Sequence, residues 1–435
     1  MLAEAVWTTR SNQFPEVAEE VAGHSTKAYV ISSRDQLVSS RKGGQMSVQI
    51  VHCGDLHLDR NFNVGSIARN YERKRDLDAN FIKIVNYAIE NRADLFLISG
   101  DIFDRVNPSN FSRDFLAKQL KELNVRGIPV FIIGGNHDVP KVPDVPTLAL
   151  DVLDTVGLAT VFSRSDVLGR KTLKIAGLNV CISGKSYFSQ REGENPIAGQ
   201  RVPLSGDINV LMLHGSLQGL NVVSSVPQLS SQNPFAPEDI PRKLDLLALG
   251  HFHNGFDRRV GECLVCNPGS IEKLTWAEIN DSKGFYWVEL GREGSECEFI
   301  SLETRPMRDE QFAFAGEEVD DPTSAVLEFL MGKKDKEAML RLKLTGTIPQ
   351  GIYSKLRLSD IYRAGPEAFF FLTVDRRELE ISRIGRVFAG RTETPAEAFA
   401  ARMDALIKDA VSDSARSELL REAKEVGLRY LGGQP

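Results

Sequence analysis

Asp94-Leu95-Phe96-Leu97-Ile98-Ser99-Gly100-Asp101 is a continuous apolar run that ends in a small residue, a glycine and an acid. Such a run reads as a strand buried on both faces, the kind found inside a parallel sheet. Both flanks agree. Upstream, Ser47-Val48-Gln49-Ile50-Val51-His52 reads as a strand, and residues 72–92 carry Leu77, Phe81, Ile84, Val85, Ala88 and Ile89 at helical spacing. Downstream, a helix over about 109–124 leads into Ile128-Pro129-Val130-Phe131-Ile132-Ile133 and the pair Gly134-Gly135. Strand, helix, strand, helix, strand implies βαβ units and a largely parallel sheet.

Past about residue 158 the character changes. Short strands are expected at 172–176, 178–183, 208–213, 245–249, 263–267, 284–290 and 296–301, forming a second sheet packed on the first. Residues 217–240, rich in Ser, Gln, Asn and Pro, read as a long loop, and loops of that length are usually functional or mobile. A further unit starts near Arg305, with strands expected at 338–345 and 368–374. Thr394-Pro395-Ala396-Glu397 then spells a capping box with proline at the first helical position. Phe399, Met403, Leu406, Ile407, Ala410 and Val411 follow at helical spacing, and a second helix carries Leu419, Leu420, Ala423 and Leu428. At the other end, residues 1–45 show no sustained period, and they are expected to be a poorly ordered extension with Met46 as the start or the first ordered residue.

The chain has 435 residues, room for two or three domains. With 42% hydrophobic and 26% charged residues, general disorder is excluded. No apolar run approaches the ~18 residues of a membrane span, so no membrane partner is expected. Five cysteines are too few and too odd for a disulfide framework, which makes a reducing cytoplasm the default. A net charge of −6 excludes a globally basic nucleic-acid binder but not a local basic groove.

Chemistry enters with the histidines. There are seven, and His57, His137, His214, His251 and His253 each follow an expected strand, among glycines or acids. Asp55-Leu56-His57 follows the first strand, and on an extended backbone residues two apart point to the same side. Gly100-Asp101 follows the second strand, with Asp104 one turn on, and Gly135-Asn136-His137-Asp138 follows the third. His214 ends Val210-Leu211-Met212-Leu213, and Gly250-His251-Phe252-His253 follows Leu246-Leu247-Ala248-Leu249. In parallel α/β sheets the loops at the carboxyl ends of the strands form the ligand crevice. Each motif alone is as well explained by a turn or a helix cap, but the ordered set is not. Pooled, these loops offer carboxylates, an amide and imidazoles but no thiolate, which suits Mn²⁺, Fe or Zn²⁺ in an open site. So many ligands are too many for one ion. Two ions ~3.5–4 Å apart that share a bridging carboxylate use them naturally, in a phosphoester-hydrolysing site.

Asp-x-His, Gly-Asp-x-x-Asp, Gly-Asn-His-Asp, a lone His-Gly and Gly-His-x-His together resemble the calcineurin-like metallophosphoesterase superfamily over about residues 47–301. Val51-His52-Cys53-Gly54-Asp55-Leu56-His57-Leu58, Ser99-Gly100-Asp101-Ile102-Phe103-Asp104, Ala248-Leu249-Gly250-His251-Phe252-His253 and Asn267-Pro268-Gly269-Ser270-Ile271-Glu272 are similar to its DNA-repair exonuclease branch. That branch holds the SbcD-type (meiotic recombination eleven) nucleases and the YhaO-like proteins, and the length and tail resemble YhaO more. The resemblance implies a four-layer α/β/β/α metallophosphoesterase sandwich over residues 46–303, a smaller α+β capping domain over 304–392 and a helical, partner-docking tail over 393–435. It implies one metal on Asp55, His57, Asp101 and His253 and a second on Asp101, Asn136, His214 and His251, with Asp101 bridging. His137 is implied to be no ligand but the catalytic group near the scissile phosphate, stabilising the transition state or protonating the leaving oxygen. The implied reaction is in-line hydrolysis of DNA by water activated on the metals, usually manganese. The implied partners are DNA, an SbcC-type coiled-coil ATPase and, through helices of the phosphoesterase domain, a second copy of the chain.

Lesser features have plainer readings. His52 reads as a satisfied core histidine and Cys53 as a small buried hydrophobe, although a thiol there could make the site oxidation-sensitive. Cys263 and Cys266 have zinc-knuckle spacing, but on a strand they point to opposite faces. Asp104 and Asp138 read as groups that orient ligands. Arg376, Arg377, Arg383, Arg386 and Arg391 form either a phosphate-contacting edge or a solvated strand face. Besides a DNA nuclease, the motifs admit a phosphoesterase for small nucleotides or phosphoproteins, and a non-catalytic scaffold for an ATPase. The long extension after residue 301 disfavours the first alternative, and the full ligand set disfavours the second.

Overall fold

A computed structural model describes residues 46–140, 147–163, 167–187, 193–219, 232–315, 319–382, 394–410 and 414–431. The expected extension over 1–45 lies outside the described residues. The first half opens with β1 (Ser47–Cys53), α1 (Ile67–Glu90), β2 (Leu95–Ser99), α2 (Asn110–Val125), β3 (Val130–Ile133), a short α3 (Asp151–Thr155) and β4 (Thr160–Phe162). Next come β5 (Gly169–Ile175), β6 (Leu178–Gly184), β7 (Ile208–His214), β8 (Ser216–Leu217), β9 (Pro234–Phe235), β10 (Leu246–Gly250), β11 (Phe256–Val260), β12 (Cys263–Asn267), β13 (Gly284–Gly291) and β14 (Gly294–Ser301). The last part holds β15 (Met307–Ala315), α4 (Pro322–Met331), β16 (Asp335–Pro349), α5 (Gln350–Tyr353), α6 (Leu358–Ala368), β17 (Phe369–Ser382), α7 (Pro395–Asp409) and α8 (Ser414–Tyr430).

Two six-stranded sheets form, in the orders β14-β13-β1-β2-β3-β4 and β11-β12-β10-β7-β6-β5. β1 to β4 are parallel, as are β6, β7, β10 and β12. The apolar runs explain the stacking. Leu95 and Leu97 face inward with Val48, Ile50 and Phe131, against Val180, Ile182, Val210, Met212, Leu246 and Ala248 of the other sheet. Their neighbours Phe96 and Ile98 face outward and meet Leu77, Phe81, Ile84 and Val85 of α1 and Leu116 and Leu120 of α2. Side chains alternate along a strand, so one run serves both layers. The outer face of the second sheet is covered, among the described residues, by segments of 195–205 and 233–244, through Ile197, Val202, Phe235, Ile240 and Leu244. The expected long loop 217–240 is described only in part, and its ends pair as β8 with β9.

The sheet of the last unit is strictly parallel, β15-β16-β17, because α4 and α6 supply the crossovers. α7 carries the expected capping box, in which Thr394 Oγ1 accepts from Glu397 N–H and the Glu397 carboxylate accepts from Thr394 N–H. α7 and α8 pack on each other, with Gly427 against the Phe399 ring and Lys424 paired to Asp404 at 2.6 Å. Leu419, Val426 and Tyr430 stay exposed. No helix among the described residues is long and apolar enough to cross a membrane.

Candidate dinuclear metal centre

The carboxyl ends of β1, β2, β3, β7 and β10 meet at one edge of the two sheets, and the residues singled out in the sequence lie in the loops that leave them or, for His214, at the strand end itself. The loops after β1 and β2 continue as a ladder. Asp55 N–H donates to Gly100 O (3.0 Å), His57 N–H to Asp101 O (2.9 Å) and Leu58 N–H to Ile102 O (2.9 Å). Asp55, His57, Asp101 and His251 all sit at positive φ, +48°, +45°, +46° and +108°. Asp55 and His57 therefore do not converge as alternate residues of an extended strand, the geometry expected from the sequence. They converge because each is turned into the left-handed region, which costs a side-chain-bearing residue on the order of 1–3 kcal/mol and persists where the surroundings impose it. Gly250 is required for close approach, since a Cβ there would collide with the Ser99 carbonyl oxygen.

Two donor sets result. Asp55, His57 and His253 bring ligand atoms together within 4.8 Å, and so do Asp55, Asp101 and His214. Asp101 lies between the halves, its Oδ2 3.7 Å from His57 Nε2 and 3.5 Å from His214 Nε2. Asn136 Oδ1 is 3.1 Å from both His214 Nε2 and His251 Nδ1. Thus Asp55, His57, Asp101, Asn136, His214, His251 and His253 share one site. His137 stands at its rim, half-exposed, edge-on to His57 with ring centroids 4.8 Å apart.

The imidazoles are held from behind. His57 Nδ1–H donates to Asp104 Oδ1 (3.0 Å), His253 Nδ1–H to Glu278 Oε1 (3.2 Å) and His214 Nδ1–H to Ser99 O (2.9 Å). Each of these partners accepts only, so Nδ1 carries a proton and Nε2 is the nitrogen turned to the site, where it can offer a lone pair to a metal. His57 Nε2 is buried without a hydrogen-bond partner. His214 Nε2 faces Asn136 Oδ1 and Asp101 Oδ2, two acceptors that a cation there, proton or metal, satisfies. Converging lone pairs out of water need a cation among them, and these residues fit divalent metal. Burial pushes His57 down to about 4 and Asp55 up to about 6. Burial also opposes the charge on His214, yet the Asp101 carboxylate beside it outweighs this and raises it to about 9. Asp101 in turn is held well below the usual range, where the imidazoles of His214 and His57 outweigh its burial.

The supporting groups behave as expected. Asp138 accepts from Ile102, Phe103 and Gly135 N–H (3.0, 2.9 and 2.9 Å), tying the loop of Asp101 to that of Asn136. Asp104 also accepts from Arg60 Nη1 at 2.7 Å. That guanidinium already supplies the cation for a third cluster, Asp104 with His57 and His137. His52 is buried, and burial pushes it down to about 3, leaving it neutral; it is satisfied only in part, Nε2 bonding Ser99 Oγ at 2.8 Å while Nδ1 has no hydrogen-bond partner among the described residues. Cys53 is wholly buried in the core. Cys263 and Cys266 face opposite sides of their sheet, in different cores. Of the arginine cluster, Arg377 pairs with Asp375 at 2.6 Å and Arg376 with the Tyr353 hydroxyl at 2.9 Å, while Arg383, Arg386 and Arg391 lie outside the described residues.

Sequence reasoning missed Glu278 and Lys283. Both are buried, and Lys283 Nζ donates to Glu278 Oε2 (2.8 Å), His253 O (2.8 Å) and Ser270 Oγ (2.9 Å). No spacing marks them, and only their burial beneath His253 does.

Residues 48–273 match the family model of the calcineurin-like phosphoesterases, so the chain belongs to that family of metal-dependent hydrolases. Within it, the chain is 25% identical over 312 residues to the DNA double-strand break repair protein Mre11 of Sulfolobus acidocaldarius, covering 69% of this chain and 76% of that one. It is 27% identical over 315 residues to the uncharacterized metallophosphoesterase YhaO of Bacillus subtilis, covering 69% and 72%. Among solved structures it is similar to a dimetal phosphatase from Danio rerio, at 14% identity and TM-score 0.35, over 58% of this chain and 98% of that one.

Proposed function

We propose that this protein is a dinuclear-metal DNA nuclease of DNA repair, hydrolysing phosphodiester bonds as an exonuclease or endonuclease. One arrangement carries the proposal: the donor sets Asp55, His57, His253 and Asp55, Asp101, His214 meet, with Asp101 Oδ2 between His57 and His214, beside a half-exposed histidine that belongs to neither. The similarity to Mre11 proteins supports DNA as the substrate. The ligands assigned to one ion are Asp55, His57, Asp101 and His253, and those to the other Asp101, Asn136, His214 and His251. Oxygen and imidazole donors without thiolate suit Mn²⁺, Fe or Zn²⁺, and the resemblance to the nuclease branch favours manganese among them. When bound, the two ions supply a water activated for in-line attack and neutralise charge on the phosphoryl oxygens. His137 donates its Nδ1–H to Asp104 O (3.1 Å), which leaves Nε2 for the substrate; from the imidazolium form Nε2–H passes its proton to the leaving oxygen and the ring ends neutral. The five cysteines are all free thiols, in keeping with a cytoplasmic protein.

Chelator-treated protein should lose cleavage of end-labelled linear DNA, and Mn²⁺ should restore it more fully than Mg²⁺. Cleavage that survives metal removal, or turnover of a chromogenic phosphodiester with none on DNA, overturns the nuclease reading.

The domain boundaries proposed above place a phosphoesterase domain at 46–303, a capping domain at 304–392 and a docking tail at 393–435. The apolar residues left exposed on α8 support docking on an SbcC-type coiled-coil ATPase. Tyr71 and Phe111, exposed on α1 and α2 with ring centroids 6.4 Å apart, support a second copy of the chain as a further partner. Truncation after Arg391 should leave Mn²⁺-dependent cleavage of a small phosphodiester intact and abolish co-purification with the ATPase. An insoluble truncated protein, or unchanged recovery of the ATPase, sinks the docking assignment.

A further inference from the structure

The turn Trp276–Glu278 touches two parts of the molecule at once. Glu278, fully buried, is saturated on its inner side. Its Oε1 accepts from His253 Nδ1 (3.2 Å) and Thr275 Oγ1 (3.0 Å), and its Oε2 from Lys283 Nζ (2.8 Å), Leu274 N–H (3.1 Å) and Ser270 Oγ (3.3 Å). Trp276 and Ile279, which flank it, face the other way. They pack with Met307 of β15, Met339 of β16 and Phe370 of β17, and with Val64 of the loop before α1. The Arg341 guanidinium lies 5.0 Å from the Trp276 ring centroid, held there by a two-pronged bond to Asp309 (2.8 and 2.6 Å). Beside this contact Arg305 forks onto Asp76 (2.7 and 3.0 Å) and stacks 3.8 Å over Phe370. The C-terminal sheet is therefore seated on the short segment that grips a histidine of the metal centre.

The geometry points to Glu278 as a positioning residue for His253, with Trp276 and Arg341 acting as the clamp through which the C-terminal sheet keeps Glu278 in place. A histidine ligand works only if its ring plane and its tautomer are fixed. A carboxylate on the far nitrogen fixes both, and losing such a partner typically costs 10–100-fold in metal affinity. Asp104 does this for His57 from the nuclease layers alone. Glu278 does it for His253 from a turn whose outer face belongs to another sheet. The consequence is asymmetric: displacing the C-terminal sheet loosens the ion that His253 holds and leaves the His214 and His251 half untouched.

This inference rests on the dinuclear reading, and the wild-type arm of its test checks that reading separately. The full chain, stripped of metal, is titrated with Mn²⁺ by calorimetry and its bound metal counted after dialysis. The wild type should take up two ions, and fewer than two sinks the dinuclear reading and this proposal with it. Glu278→Gln should weaken one ion by about 10–100-fold and spare the other. Trp276→Ala should weaken the same ion several-fold, and Trp276→Phe should restore it. Arg341→Ala reports on the clamp if Trp276→Ala does not fold. Wild-type affinities in Glu278→Gln, or equal weakening of both ions, overturn the positioning role. Wild-type affinities in the Trp276 and Arg341 variants overturn the clamp.

Discussion

Asp101→Asn should abolish catalysis while leaving the fold standing. Asp101 Oδ1 accepts from His137 N–H at 2.8 Å, and an amide oxygen can accept the same bond, so the local backbone has no reason to move. What disappears is the negative charge between the two donor sets, whose imidazoles His57 and His214 come within 3.7 and 3.5 Å of Oδ2. Two dications then face each other across a gap of low dielectric with no anion to offset their repulsion. One ion should be lost or displaced, and with it the electrostatic stabilisation of the transition state. A fall of about 10³-fold in turnover is the expected scale for one such preorganised group. Hydrolysis of a chromogenic phosphodiester, metal content and thermal melting measured on one preparation check this. Wild-type turnover would show that the bridge lies elsewhere.

His137→Ala should separate catalysis from metal binding. Its ring is half-exposed at the rim, while Asp55, His57, Asp101, His214 and His251 are buried. Its Nδ1 is occupied by the Asp104 carbonyl, and the Asp104 carboxylate grouped with it is already paired with Arg60. Removing the ring leaves every proposed ligand in place, so both ions should stay. Turnover should drop by ~10²–10⁴-fold, the usual worth of a general acid. A substrate whose leaving group needs no proton should recover most of that loss. A variant that loses metal together with activity makes His137 a ligand instead.

The legibility of the fold follows the chemistry of its parts. Leu95 to Ser99 and Leu246 to Gly250 are readable as strands because both faces of each are buried, so nearly every residue must be apolar. β15 escaped notice because Arg308, Asp309, Glu310 and Gln311 break its apolar pattern, and its pairing with β16 overrides what its residues would choose alone. β17 runs on through Asp375-Arg376-Arg377-Glu378 for the same reason. α1 begins at Ile67, earlier than its apolar stripe, because the Ser66 hydroxyl caps it by accepting from Arg69 N–H at 3.2 Å.

By itself the sequence determined the alternation of strand and helix, the parallel core and the set of candidate donors, because burial demands apolar runs and metal demands oxygen and imidazole. Order along the chain was enough to put those donors at strand ends. Only the tertiary structure decided how they aim. The left-handed turns at Asp55, His57, Asp101 and His251 fall on residue types that tolerate that region, but bonds between neighbouring loops fix where they occur. Likewise the partners of His57, His214 and His253 come from Asp104, Ser99 and Glu278, on other segments of the chain. A hydrogen bond to the far nitrogen of a ligand depends on through-space position, and no local spacing encodes it.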